Sequence, residues 1–314
     1  MENLIVSSSP HIHSRRTTSN IMRDVVIALL PATAAAIVLF GFKAALMIAV
    51  CVASAVLSEF VYNIITKKDQ TIGDFSAVIT GLLLALNLST KVELWQCMLG
   101  SIFAIIVVKC VFGGIGKNFA NPAITGRIFL LIAFGAVAGG AHTLFTPEIA
   151  AGATPLEIIK SGSDAALPSL LDMLLGNRGG AIGETCAIAL LIGFVYLLIR
   201  KVISWHIPVV FVGTVFLLSL IVKQDLTIAL YEVLGGGLLL GAIFMATDYV
   251  TSPMGRIAKV IFAFGCGIIT VLIRFWGAYP EGVSFAILFM NILSPYIEKI
   301  RVIKPLGGIK NVKK

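Results

Sequence analysis

The stretch Gly152-Ala153-Thr154-Pro155-Leu156-Glu157 combines residue types that can do one specific piece of chemistry. Thr at an N-cap, Pro at the first helical position and Glu three residues on make a capping box, which starts a helix and nothing more. The same geometry supports a sharper reading. A helix N-terminus presents free N–H groups and a positive dipole end, and Gly152 lets the backbone come close, so a phosphate esterified to the Thr154 hydroxyl is well placed. Glu157 opposes that charge unless it points away. Spacing alone leaves both readings open. The other reactive-looking groups are weaker. Pro10-His11-Ile12-His13 offers two histidines without further ligands, which reads as ordinary surface and gives no metal site. The five cysteines (Cys51, Cys97, Cys110, Cys186, Cys266) form no C-x-x-C pair and read as small apolar packers rather than disulfides or cluster ligands. No catalytic acid, base or nucleophile stands out.

The elements that must position Thr154 are set by composition. With 58% hydrophobic residues, 13% charged and 30 glycines, the chain lies far outside the soluble range and reads as a polytopic membrane protein. Only helices or closed barrels span hydrocarbon, and the apolar runs are too long for alternating strands. Windows of about 20 residues give ten expected spans at 25–42, 44–65, 72–88, 94–112, 119–138, 181–199, 205–222, 227–246, 257–276 and 283–297. The third and tenth are short and interrupted, and are the ones expected to be tilted or broken. The fold class expected is all-α, an integral membrane protein in two five-helix halves.

Basic residues then orient the chain. If the N-terminus is cytoplasmic, one side collects 17 Lys and Arg and the other 6, with Arg127 inside span five completing the 24. Both termini are therefore expected in the cytoplasm. The divisions are a cytoplasmic head 1–24, a first transmembrane half 25–138, an outer segment 139–180 that holds Thr154, a second half 181–298 and a basic tail 299–314. The formal charge of +8 follows from the same asymmetry beside anionic lipid and calls for no nucleic acid. The head lacks a signal-peptide cleavage site and is expected to be retained.

Five spans in the first half force the second to enter from the opposite side, so any internal repeat is inverted. Residues 81–90 of the third span echo 240–251 of the eighth, and a glycine-containing break and an Asn-bearing span follow each (Asn121, Asn291). Such repeats with interrupted helices build midplane sites in channels and secondary transporters. A stand-alone small-solute transporter or channel is therefore the alternative reading. A central charge in hydrocarbon costs about 2.5–3.5 kcal/mol and needs a partner or a wet cavity. Arg127 is the clearest case; Glu59, Asp74, Lys109, Glu184, Asp248 and Arg274 fall nearer span ends, where snorkelling competes with function. The run Gly235-Gly236-Gly237 reads as a surface for close helix approach.

Several motifs carry a resemblance over nearly the whole chain. They are Ser9-Pro10-His11, Gly116 to Gly126 with Asn121-Pro122-Ala123, Gly152-Ala153-Thr154, Gly176-Asn177-Arg178-Gly179-Gly180 with Gly183-Glu184-Thr185, and Met245-Ala246-Thr247-Asp248 with Thr251-Ser252-Pro253-Met254. Together they resemble the NqrB/RnfD family. Its members are the RnfD subunits of the Rnf ion-translocating ferredoxin:NAD oxidoreductase complex and the related NqrB subunits of the sodium-translocating NADH:quinone reductase. The resemblance implies FMN held on Thr154 through a phosphoester bond, installed outside the cytoplasm by a flavin transferase. It also implies partner subunits of a complex in a prokaryotic cell membrane, coupling to Na⁺ or H⁺, and a second, non-covalent flavin of the riboflavin type with no residues assignable to it. Glu148 and Ala151 depart from the family's usual Asp and Ser or Thr. With Gly152 and Ala153 beside the threonine, Asn177, Arg178, Gly180, Glu184 and Thr185 are expected to contribute to the FMN surroundings; a glycine-rich turn before a helix is their plain alternative.

Overall fold

A computed structural model describes residues 17–135, 143, 154–162 and 167–300. The head 1–16, the tail 301–314, Gly152 and Ala153 lie outside the described residues, and with them the His11 and His13 reading. Among the described residues the regular structure is helical throughout. Within the described residues, each of the ten expected spans overlaps a helix. Four helices are long and apolar enough to cross a membrane by themselves: α1 (Thr18–Phe40), α2 (Phe42–Ile65), α9 (His206–Lys223) and α12 (Arg256–Trp276). The pair α10 (Leu226–Leu234) and α11 (Leu238–Leu240, continued by the π-helical Gly241–Met245) makes a fifth, bent by 59° at the Gly235–Gly237 junction.

The remaining apolar helices are shorter: α3 (Ser76–Leu86), α4 (Leu94–Phe103, running on as π-helix through Cys110), α5 (Pro122–Ala133) and α8 (Ala187–Ile199). Their expected ends shrink for identifiable reasons. α5 starts only at Pro122 because Asn121 caps it, its side chain accepting from the N–H groups of Ala123 and Ile124. α8 starts at Ala187 rather than 181 because the loop before it pairs with α3: Ile182 N–H donates to Leu88 O at 2.9 Å and Gly183 N–H to Leu86 O at 2.8 Å. The tenth span was expected to be interrupted but forms a continuous α13 (Val283–Lys299) with Pro295 inside it. The third span is interrupted as expected, a short 3-10 turn (Ile72–Asp74) giving way to α3 at Phe75, which takes φ +63°. A further break that was not expected lies in the eighth span, where Gly236 takes φ +62°, a backbone setting that favours glycine.

Helix contacts repeat between halves. α2 packs on α3 and α4 as α9 packs on α10 and α12; α4 meets α5 as α12 meets α13; α1 meets its counterpart α8, and α5 meets α13. The parallel is partial: α1 also packs on α2, and α3 on α4, without a counterpart of similar extent between α8 and α9 or between α10–α11 and α12. The Asn pairing does not follow it: Asn121 is a helix cap, whereas Asn291 lies inside α13 with neither polar side-chain atom bonded. Two short helices, α6 (Pro155–Ser161) and α7 (Leu170–Leu175), occupy the segment between the halves.

Candidate functional site

Thr154 is the N-cap of α6 and closes the expected capping box. Its hydroxyl accepts from Glu157 N–H at 3.3 Å, and Glu157 Oε2 accepts from Thr154 N–H at 2.7 Å. Pro155 follows at the first helical position, and Gly162 ends the helix at φ +63°. Thr154 itself is 6% exposed. For a phosphoester at this position the donor set fits: a hydroxyl on a helix N-cap with a backbone N–H already directed at its oxygen. The Glu157 carboxylate sits on the Thr154 amide, beside that oxygen, so a phosphate there would share the end of α6 with a like charge.

α6 is fastened to the second half at both ends. Leu156 packs over the break, so close that a Cβ on Gly235 or Gly236 would stand 3.1 or 2.8 Å from its side chain. Lys160 donates to the carbonyls of Gly277 (2.6 Å) and Tyr279 (2.7 Å), which lie just past the C-terminal end of α12. A cation there is the favourable partner for a helix C-terminus. Partial burial pulls the Lys160 ammonium below its ordinary pKa, and Glu232 opposes that pull.

The loop between α7 and α8 splits the other expected residues. Asn177 stays at its rim, with Oδ1 accepting from the Thr143 hydroxyl at 3.3 Å. Gly176 caps α7 at φ +95°, where a Cβ would stand 2.9 Å from Cys186 N. Arg178 turns inward, 1% exposed, and donates to three carbonyls: Glu184 (2.8 Å), Leu234 (2.7 Å) and Thr185 (3.4 Å). Gly180 lies against Glu184, whose Oε1 would be 2.9 Å from its Cβ. Glu184 (2% exposed) and Thr185 (1%) are likewise interior, each with one oxygen that has no partner.

The glycine break joins these two groups. Leu156 covers Gly235 and Gly236, Arg178 holds the carbonyl of Leu234, and Glu184 borders Gly237. The structure thus brings the α6 helix and the buried Arg178–Glu184 loop against neighbouring residues of one junction; Arg178, Gly180, Glu184 and Thr185 serve the interior, and Asn177 alone stays at the rim.

Arg127 finds the partners its position demands. Nη1 donates to Ser284 Oγ (2.9 Å) and Asn87 Oδ1 (3.2 Å), and Nη2 pairs with Glu281. Lys109 and Arg274 do not snorkel. Lys109 is 3% exposed and donates to both carboxylate oxygens of Glu59 (2.9 and 2.8 Å) and to Ser76 Oγ (2.6 Å). Arg274, also 3% exposed, pairs with Glu232 Oε2 at 2.8 Å. The physical reason is that each has a carboxylate at the same depth, which removes the drive to reach water. Sequence reasoning missed Glu232, Glu281 and the break. The Tyr279-Pro280-Glu281-Gly282 turn ahead of an apolar helix was the available signal for Glu281, because Arg127 needed an acid.

The model of the NQR2, RnfD, RnfE family matches residues 5–307. The chain is 45% identical to the D subunit of the sodium-translocating ferredoxin:NAD(+) oxidoreductase complex of Acetobacterium woodii, covering 99% of this chain and 98% of the relative. It is 39% identical to the D subunit of the proton-translocating ferredoxin:NAD(+) oxidoreductase complex of Clostridium ljungdahlii, over 94% and 93%. It is 32% identical to the D subunit of the ion-translocating oxidoreductase complex of Methanosarcina acetivorans, over 99% and 100%.

Proposed function

Because the chain belongs to the NQR2, RnfD, RnfE family, we propose that it is the membrane subunit of an ion-translocating ferredoxin:NAD⁺ oxidoreductase complex, carrying covalent FMN on Thr154. It works with the other subunits of that complex, after a flavin transferase has loaded it. The observation that supports the flavin assignment is the Thr154 hydroxyl at the start of α6, next to a helix terminus whose N–H groups favour a phosphate. When bound, the flavin supplies one-electron redox chemistry at that end of the molecule.

The residues divide the work. Thr154 provides the attachment oxygen, Pro155 and Glu157 fix the helix that presents it, and Leu156 and Lys160 hold that helix on α10 and α12. Arg178 ties the loop that leads to α8 to the end of α10 through the carbonyls of Glu184 and Leu234. A second, non-covalent flavin of the riboflavin type belongs to the same reading, without assigned residues. Both termini lie in the cytoplasm in this reading, which follows from the distribution of Lys and Arg, and anionic lipid sits beside the basic tail. The moving cation is Na⁺ or H⁺; the relatives' names include both.

The test is direct. The denatured chain on a gel should fluoresce as a flavin, and Thr154→Ala should abolish the signal while the chain still enters the complex. Mass analysis of the native peptide 154–160 without an adduct would overturn the assignment. The bent α10–α11 span and the repeated helix contacts favour a second reading as a stand-alone transporter. Solute uptake by the isolated, flavin-free chain in vesicles would establish that one instead.

A further inference from the structure

Side chains from four elements converge where α10 gives way to α11. Arg127 comes from α5, Asn87 from the end of α3, Glu281 from just ahead of α13 and Ser284 from its first turn, and Glu184 from the loop before α8. Glu184 Oε1 accepts from Ala181 N–H at 3.0 Å, while Oε2, fully enclosed, meets no donor, and the Glu281 carboxyl faces Glu184 within hydrogen-bonding reach. That free oxygen lies 3.3 Å, and Arg127 Nη1 3.5 Å, from the point where a Gly237 Cβ would stand. Glu281 Oε1 lies 3.0 Å from the corresponding point on Gly236. Two carboxylates therefore border successive glycines of one break, and a side chain at either glycine would crowd one of them.

The charged groups facing Glu184 are Arg127 on α5, Arg178 in its own loop and Glu281 ahead of α13, with Arg274 of α12 near Glu281. Every cation among them is committed elsewhere. Arg127 holds Glu281, Asn87 and Ser284; Arg178 holds three backbone carbonyls; Arg274 holds Glu232 and the Gly235 carbonyl. An ionised Glu184 would leave a buried carboxylate oxygen with neither a cation nor a donor in contact, an arrangement that a low-dielectric interior strongly disfavours. A proton on Oε2 relieves it. A metal cation does not fit as well, since it needs a shell of several oxygens, and Arg127 already holds those of Asn87, Ser284 and Glu281.

We infer that Glu184 is a proton-binding carboxyl of this subunit, with Arg127 and Glu281 as its fixed counter-pair at the glycine break. The step is a single protonation: one O–H bond forms on Oε2 and no electron changes hands. The inference rests on the proposed function only for its purpose, which is to give the complex's ion movement a carrier inside this chain. The site itself stands on the geometry.

Infrared difference spectroscopy of the lipid-embedded complex tests it. The wild type should show a carboxylic-acid C=O band at neutral pH that shifts in heavy water. Glu184→Gln should remove that band, Glu184→Asp should move it, and Glu281→Gln should remove it at neutral pH because the released Arg127 turns to Glu184. A wild-type complex without such a band overturns the proposal before any variant is made. A band that Na⁺ removes at fixed pH makes this a sodium site and overturns it too. Loss of flavin from the wild-type chain with the band intact would sink the function proposed above and leave this site standing.

Discussion

Two buried charge clusters in this chain are built from similar residues and come out differently. Around Lys109 every group is satisfied. The ammonium uses three donors on Glu59 and Ser76, Thr71 donates to Glu59 at 2.5 Å and accepts from Asn63 at 3.1 Å, and Asp74 accepts from both the hydroxyl and the N–H of Ser76. Around Arg127 the guanidinium is equally well held, but Glu184 keeps one oxygen free beside a glycine break. A closed network in a low-dielectric interior rigidifies; one with a free valence is where protonation or a ligand can change the state of the protein. The difference separates a structural clamp from an exchangeable site more sharply than burial does, since both clusters are buried.

Breaking the closed cluster should give the largest effect. Lys109→Ala strands Glu59 and should lower stability by about 3–5 kcal/mol, whereas the double replacement Lys109→Met, Glu59→Leu should be near neutral. Thermal unfolding of the complex in detergent reads both, and equal losses in the single and double variants would show that the pair is not a closed unit. Next comes the junction that frames the open cluster. Gly236→Ala forces a non-glycine residue into the left-handed region, at about 1–2 kcal/mol, and pushes on Leu156 as well. Protease cleavage near α6 should accelerate, and an unchanged rate would detach α6 from the break. The smallest effect sharpens the contrast. Thr185→Val removes a hydroxyl that has no partner and should change the melting free energy by less than about 0.5 kcal/mol. A large destabilisation would mean that this hydroxyl has a bonding role, and that the interior loop is as closed as the Lys109 clamp.

Local features were legible in the sequence and distant ones were not. The Thr154 cap, the ten apolar stretches and the need of Arg127 for a partner follow from neighbours in the chain or from hydrocarbon alone. The partners themselves are 154 residues away for Glu281 and 40 for Asn87, distances over which a single sequence has no signal. The glycine run was readable as small, but whether it spaces helices or breaks one depends on Gly236 reaching a positive φ under Leu156. Asn177, Arg178, Gly180, Glu184 and Thr185 were grouped with Thr154 because they lead into the sixth span beside its segment. The backbone pairing of residues 182 and 183 with α3 draws most of that loop into the interior, which composition could not foretell.

The seven-residue π-helix from Ala104 to Cys110 makes this stretch sensitive to chain length rather than to chemistry. A π-turn accommodates one residue more than an α-turn, so removing a single residue such as Val107 would let the ladder close as ordinary α-helix with both flanks near their present facing, whereas inserting one more would turn Lys109 by about 100° away from Glu59. Added length is therefore what this stretch resists, and a one-residue deletion is the change in length it can absorb.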